Sequence, residues 1–276
     1  SHDFSCFLGD ADGILISQAD GIPIHTGGGG LALRTLIAAF NEAIEPEDVF
    51  LLNDPYVAGG NHLPDWVIAR PVFHGDRRIG FACNRAHQSD IGGGAAGTYN
   101  PDATEIFHEG LRIPPLKLIE RGTVREDLWS LLLLNSRTPD LMDGDLRAML
   151  GSTRIGMERL EALVDDLGLE DALVCFEGVL HHGDRMLRAC IEGVPDGVYS
   201  GEDATENDCF EDIRTEIMVT LTVKGDQITV DFTGTGPQMK GFKNSSIANT
   251  MSAAYMALGS FFPEELPRNE GTFRSV

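Results

Sequence analysis

His62-Leu63-Pro64-Asp65 and His87-Gln88-Ser89-Asp90 bracket the stretch that decides the fold. They carry the same His-x-x-Asp spacing and lie 25 residues apart. Between them are two apolar runs, residues 66–73 and 79–83, separated by His74-Gly75-Asp76-Arg77. Gly-Asp between two β-prone runs signals a tight hairpin turn. Pairing about Gly75-Asp76 places Asp65 opposite Ala86 and His62 opposite Ser89. Facing Cα atoms of antiparallel strands stand roughly 4.5–5.5 Å apart, so His62, Asp65, His87 and Asp90 are expected to meet at the open end of one hairpin. Two imidazoles and a carboxylate on a preformed corner suit a divalent transition metal with open positions for substrate. Zn, Mn and Fe all fit that donor set, and spacing does not choose among them. The competing expectation is a group of hydrogen-bonded surface polar residues. Asp90 can instead orient His87.

On the N-terminal side, residues 48–52 read as a buried strand that runs into a polar, Gly- and Pro-rich loop over 53–65, the usual place for functional groups. Residues 4–8 and 14–17 flank Asp10-Ala11-Asp12-Gly13 and form a first hairpin. Leu31, Leu33, Leu36, Ile37, Phe40 and Ile44 trace one helical face, predicting a helix over 31–44. The four glycines before it, Gly27–Gly30, offer either an anion seat or a flexible turn. On the C-terminal side, the Gly92–Gly94 loop either lets backbone approach a ligand closely, and so lines its channel, or simply moves, and Pro114-Pro115 forces an extended segment. Apolar spacing from Leu146 to Leu167 predicts a long helix, broken or kinked near Gly151 or Gly156, with Asp143 as its N-cap. A second helix follows Gly168, so residues 139–192 read as a helical hairpin. Residues 213–223 and 227–232 alternate as an antiparallel hairpin, and residues 247–262 read as a last helix. Hairpins mixed with helices give an α+β class with mixed, largely antiparallel sheets and a helical hairpin insertion.

Composition narrows the function. Acidic residues number 43 against 21 Lys and Arg, a net charge of −22, which disfavours nucleic acid and anionic membranes as partners. No apolar run approaches the ~20 residues of a membrane span. Five scattered cysteines without a C-x-x-C read as reduced thiols in a cytoplasmic protein. Glu105, His108 and Glu109 are acid/base candidates or a solvated turn, and His181 and His182 read as helical surface residues. The run Asp203, Glu206, Asp208, Glu211 and Asp212 reads as a solvated face. The sequence opening at Ser1-His2 inside an apparent strand, and its abrupt stop at Val276, suggest one domain over 1–276 cut from a longer chain.

Asn53-Asp54-Pro55-Tyr56 followed by Gly59-Gly60-Asn61-His62-Leu63-Pro64-Asp65 resembles the hydantoinase B/oxoprolinase family. So do Ala86-His87-Gln88-Ser89-Asp90-Ile91-Gly92-Gly93, Glu109-Gly110-Leu111-Arg112-Ile113-Pro114-Pro115, Asn135-Ser136-Arg137, Gly144-Asp145-Leu146, Asp231-Phe232-Thr233-Gly234-Thr235 with Pro237-Gln238, and the opening Asp3-Phe4-Ser5-Cys6 to Gln18-Ala19-Asp20 with His25. Arg268-Asn269-Glu270-Gly271 looks like a motif internal to the family's domain. The resemblance implies a subunit that works with an ATP-binding partner of the hydantoinase A type, which would hold ATP and Mg. It implies ATP-dependent opening of cyclic amides such as hydantoins, 5-oxoproline or caprolactam. Two alternatives stay open: ATP-dependent carboxylation of ketones such as acetone or acetophenone, and a non-catalytic scaffold. In the ketone carboxylases a His-x-x-Asp and a later His hold the metal, and these fall on His62, Asp65 and His87. Asp54, Asp90 and Glu109 are then candidates for supporting the ligands or for acid/base catalysis.

Overall fold

The computed structural model describes residues 3–19, 21–262 and 265–276. Ser1 and His2 of the expected opening strand, and Asp20 of the opening motif, lie outside the described residues.

The central hairpin forms as β4 (Asp65–His74) and β5 (Arg77–His87). Gly75 sits at φ +60°, in the first central position of the turn, where a type II′ turn requires glycine. The expected register holds only next to this turn, where His74 faces Arg77 and Phe73 faces Arg78. Ile79 is then an extra residue on β5, because Val72 faces Gly80. This bulge moves the remaining pairs by one position, so Asp65 faces His87 and Trp66 faces Ala86. The direct pairing of Asp65 with His87 replaces the expected pairing with Ala86.

The hairpin is the centre of a seven-stranded sheet in the order β2-β1-β5-β4-β3-β6-β7, antiparallel throughout. The other strands are β1 (Phe4–Asp10), β2 (Leu15–Gln18), β3 (Val49–Leu52), β6 (Leu116–Glu120) and β7 (Thr123–Val124). Both faces are covered, which explains why β3, β4 and β5 read as nearly continuous apolar runs. On one face α1 (Gly29–Phe40) places Leu33 and Leu36 against Phe7, Phe50, Val67, Ala69 and Phe81. On the other, Trp129 and Leu132 of α2 (Glu126–Leu134) and Met142, Leu146 and Met149 of α3 (Pro139–Leu167) bury Leu51, Trp66 and Ile68. Further along, α3 and α4 (Leu169–Ile191) cover Val72, Ile79 and Ala82 with Leu160, Val164 and Phe176. Ile79 reaches this face because the bulge turns it over relative to Phe81.

A second sheet, in the order β10-β9-β8, packs Val223 and Ile228 on Leu187 and Ile191 of α4 and on Leu258 of α5. Its members are β8 (Gly197–Thr205), β9 (Thr215–Lys224) and β10 (Gln227–Asp231), and α5 spans Ile247–Phe261. Helix α3 runs for 29 residues without the break expected at Gly151 or Gly156. Asp143 is not its N-cap: Thr138 takes that position, while Asp143 accepts from Trp129 Nε1 and from Arg147. The first helix starts two residues earlier than expected and ends at Phe40, with a 3₁₀ turn over Asn41–Ala43. Among the described residues no helix is long and apolar enough to cross a membrane.

Of the two readings of Gly27–Gly30, an anion seat or a flexible turn, the structure sets an anionic group of the chain itself beside Gly30. The carboxylate of Glu270 lies against Gly30 at the start of α1, accepts from Leu15 N and is gripped by both terminal nitrogens of Arg34.

Candidate metal centre and its cleft

The loop that delivers His62 is clamped by its own polar side chains. Asn53 donates to the carbonyls of Leu63 and Leu111 and accepts from Ile113 N. Asp54 accepts from the amides of Tyr56 and Val57 and pairs with Arg112. At Gly60 a Cβ would lie 1.9 Å from the carbonyl oxygen of Asn53, so the turn closes only around glycine. The chain then enters β4 at Asp65.

His62, Asp65 and His87 present three ligand atoms within 4.8 Å of one another. Asp65 Oδ1 is shared: His62 Nε2 lies 3.0 Å away and His87 Nδ1 3.1 Å away. Asp65 Oδ2 points the other way, 3.4 Å from His25 Nε2 and 3.5 Å from Asn61 Nδ2. Burial pushes the Asp65 carboxyl up, but the bonds from His25, His62 and His87 outweigh it and hold the group well below the usual carboxylate range. The hydrogen bond to Asp65 raises His87 above the ordinary imidazole value, against the opposing effect of burial.

The corner opens into a cleft of about 660 Å³. Tyr99 stands over both rings, its centroid 5.7 Å from His62 and 6.3 Å from His87. Phe242, from the loop before α5, backs Tyr99 at 5.9 Å. The cleft wall from the glycine-rich loop is made by Thr98, Tyr99 and Asn100 and not by residues 92–94, against the first reading of that loop. Glycines 92 and 93 instead take positive φ and give their carbonyls to Arg137.

Of Asp54, Asp90 and Glu109, only Glu109 lines this cleft. Burial raises its carboxyl above the usual range, and the nearby His62 offsets this only in part. Asp54 is committed to the 53–65 loop. Burial raises it, but Arg112 and two backbone amides bring it below the usual range. Asp90 accepts from the amides of Gly92, Gly97 and Arg137 and pairs with the Arg137 side chain, which likewise outweighs burial. It ties the glycine-rich loop to the segment before α3. Glu105 also lines the cleft, whereas His108 is exposed beside it. His181 is an exposed helical residue near Glu177. Within the acidic run, Asp208 is buried and accepts from the amides of Phe210 and Glu211, so this one residue is structural.

Sequence patterns did not single out His25, Asn61, Arg85 or Tyr99 as site residues. His25, Arg85 and Tyr99 lie on segments distant from the 53–65 loop, and only the folded chain brings them beside Asp65, Asn61 and the two imidazoles. Tyr99 and the nearby glycines were visible as a loop, but no spacing aims a loop side chain at a partner.

Two imidazoles and one ionised, buried carboxylate, with His62 open to a cleft, make a donor set that fits a divalent transition metal. An antiparallel α+β fold with such a corner beside its cleft presents a candidate metal site. The family model of hydantoinase B/oxoprolinase matches residues 1–276, and the chain belongs to that family. It is 36% identical to the caprolactamase beta subunit of Pseudomonas jessenii over 100% of its own length and 47% of the relative's. It is 34% identical to the uncharacterized protein MJ0963 of Methanocaldococcus jannaschii over 99% of the chain and 48% of that protein. It is 30% identical to the B-type subunit of a putative D-/L-hydantoinase of Pseudomonas sp. over 100% of the chain and 49% of that protein. The crystal structure of the ATP-dependent caprolactamase from Pseudomonas jessenii superposes with a TM-score of 0.95, covering 100% of this chain and 47% of that one. An acetone carboxylase structure shares the fold at a TM-score of 0.89 and 20% identity, covering 99% of this chain and 38% of that one. The chain thus spans about half the length of the curated relatives it matches.

Proposed function

We propose that this chain is the metal-holding part of an ATP-dependent cyclic-amide hydrolase that acts with an ATP-binding partner of the hydantoinase A type. The observation that carries this reading is the cluster of His62, Asp65 and His87, of which His62 and Asp65 line the cleft. Kinship with a caprolactamase beta subunit and with the B-type subunit of a putative hydantoinase supports the substrate class and the hetero-oligomer. His62, Asp65 and His87 would hold a Zn, Mn or Fe ion. Such an ion supplies Lewis-acid polarisation of a carbonyl oxygen or lowers the pKa of a water. ATP and Mg belong to the partner. Asp65, ionised at neutral pH, balances the cation's charge. Glu109 sits in the same cleft with a raised carboxyl, which suits a group that accepts a proton and returns it to a leaving nitrogen. Tyr99 and Phe242 wall the space beside the imidazoles. Asp54 and Asp90 act indirectly, by fixing the two loops that frame the cleft. Five free cysteines are in keeping with a reducing, cytoplasmic setting.

Elemental analysis of the purified native chain beside His87→Ala tests the reading. About one Zn, Mn or Fe per chain in the wild type, lost in the variant, is the expected result. With the partner present, ATP turnover should follow added cyclic amide and be indifferent to bicarbonate. Bicarbonate-dependent turnover on a ketone would assign carboxylation instead. A wild-type chain that binds no metal would sink the proposal.

A further inference from the structure

Asp65 divides its two oxygens between two environments. Oδ1 faces the imidazoles of His62 and His87 at 3.0 and 3.1 Å. Oδ2 faces His25 and Asn61, both buried. Behind each of these stands another buried group. Ser5 Oγ lies 2.9 Å from His25 Nδ1, and Arg85 Nη1 donates to Asn61 Oδ1 at 3.1 Å. Arg85 is fully buried, and its other terminal nitrogen reaches the Gly59 carbonyl. Asn61 is held further by donating to the Ile24 carbonyl. His25 thus bridges the two, with Nε2 turned to Asp65 Oδ2 and Nδ1 turned to Ser5 Oγ, and Ser5 Oγ is held in turn by the Ile22 carbonyl at 3.3 Å. The contacts assign the Asn61 amide, because its oxygen must meet the guanidinium and its nitrogen must meet the carboxylate.

We propose that His25, backed by Ser5, and Asn61, backed by Arg85, are positioning residues that lock Asp65 Oδ2 and so make Asp65 a one-oxygen metal ligand. This rests on the metal reading of the site. A buried carboxylate with one free side would otherwise rotate toward whichever donor is nearest. Here four groups from β1, the 3₁₀ segment Pro23–Gly28, the 53–65 loop and β5 fix its plane before any ion arrives. Groups of this kind behind a ligand commonly set metal affinity by 10–100-fold. His25, Ser5 and Arg85 do not line the cleft, and His25 meets the metal-binding residues through Asp65 Oδ2.

The test compares the full-length chain with His25→Leu and His25→Gln. The two replacements have similar volume, but only glutamine keeps a donor near Oδ2. Co²⁺ serves as the probe, with affinity measured by chelator competition and coordination read from the visible absorption bands. The melting temperature of the metal-free protein reports fold integrity. His25→Leu should weaken Co²⁺ binding about 10–100-fold and change the visible bands. His25→Gln should recover most of the affinity. Should His25→Leu fail to fold, Ser5→Ala takes its place, and about 3-fold weaker Co²⁺ binding is expected because His25 loses only its backing. Wild-type affinity in His25→Leu, or in Ser5→Ala where that variant decides, overturns the positioning role while leaving the metal site intact. Equal losses in His25→Leu and His25→Gln overturn it as well, since the donor would then not matter. A wild-type chain that binds no Co²⁺ removes the metal reading itself.

Discussion

Asp54, Asp65 and Asp90 are buried carboxylates that stay ionised because each collects donors: arginine and amides for Asp54 and Asp90, imidazoles for Asp65. A carboxyl whose folded pKa lies below its unfolded value of about 4 stabilises the fold above that pH, and the contribution is lost as pH falls through the folded value. Stability of the chain should therefore fall steeply below about pH 4. Urea unfolding at a series of pH values from neutral to acid checks this, with Asp90→Asn beside wild type. The variant should be less stable at pH 7 by about 1–3 kcal/mol, from the broken pair with Arg137 and the weaker amide bonds. Its acid slope should be shallower, since one depressed carboxyl is gone. An acid slope as steep as wild type would mean that Asp90 is not held below its ordinary value.

At the scale of elements, the bulge at Ile79 is the pivot. It places Ile79 under α4 and α3, and it brings Asp65 opposite His87. Its neighbour Gly80 passes close to β1, where a Cβ would lie 2.4 Å from the carbonyl oxygen of Gly9. Gly80→Ala should cost about 1–3 kcal/mol, because backbone must move to admit the methyl group. Helix α3 supplies the opposite case. Gly151 has nothing within 4 Å of a would-be Cβ, so its helix continues through it, and Gly151→Ala should stabilise by about 0.5–1 kcal/mol. Thermal melts of the two variants should move in opposite directions. At Gly156, by contrast, a Cβ would come within 3.1 Å of the Ala82 side chain, so this glycine lets the helix lie close on β5.

Over the whole molecule, the last residues stitch the two sheets to the first layer. Gln18 N donates to the Arg268 carbonyl and Glu270 N to the Leu15 carbonyl, so residues 268–270 run beside β2. Ile228 N, on β10, donates to the Ser275 carbonyl. Glu270 brings its carboxylate to the start of α1 and to Arg34, joining residues more than two hundred positions apart. Glu270→Gln should therefore lower stability by about 1–2 kcal/mol, seen as a melting point reduced by a few degrees, through loss of the charge at the helix start and of the paired arginine. Unchanged melting would mean that the amide satisfies Leu15 and Arg34 equally well.

Local pattern determined a good deal of this protein. The turn at Gly75-Asp76, the apolar runs beside it, the helices on either side of Gly168 and the strands about Gly225 all follow from periodicity and turn chemistry, which act over a few residues. The His62, Asp65 and His87 corner was legible for the same reason, since one hairpin suffices to bring it together. The glycines within α3 misled because glycine only weakens a helix, and packing on the sheet restores what is lost. β8 was not legible: its residues are largely exposed and do not alternate, and it exists because β9 offers an edge. What only the tertiary structure decided is the single-residue shift at Ile79, the Glu270 carboxylate at α1, and the groups behind Asp65. A bulge forms where packing on two opposite faces rewards it, and His25 and Arg85 reach Asp65 and Asn61 through long-range contacts. Neither leaves a periodic trace, because spacing along a chain carries no information about which distant segment will pack against it.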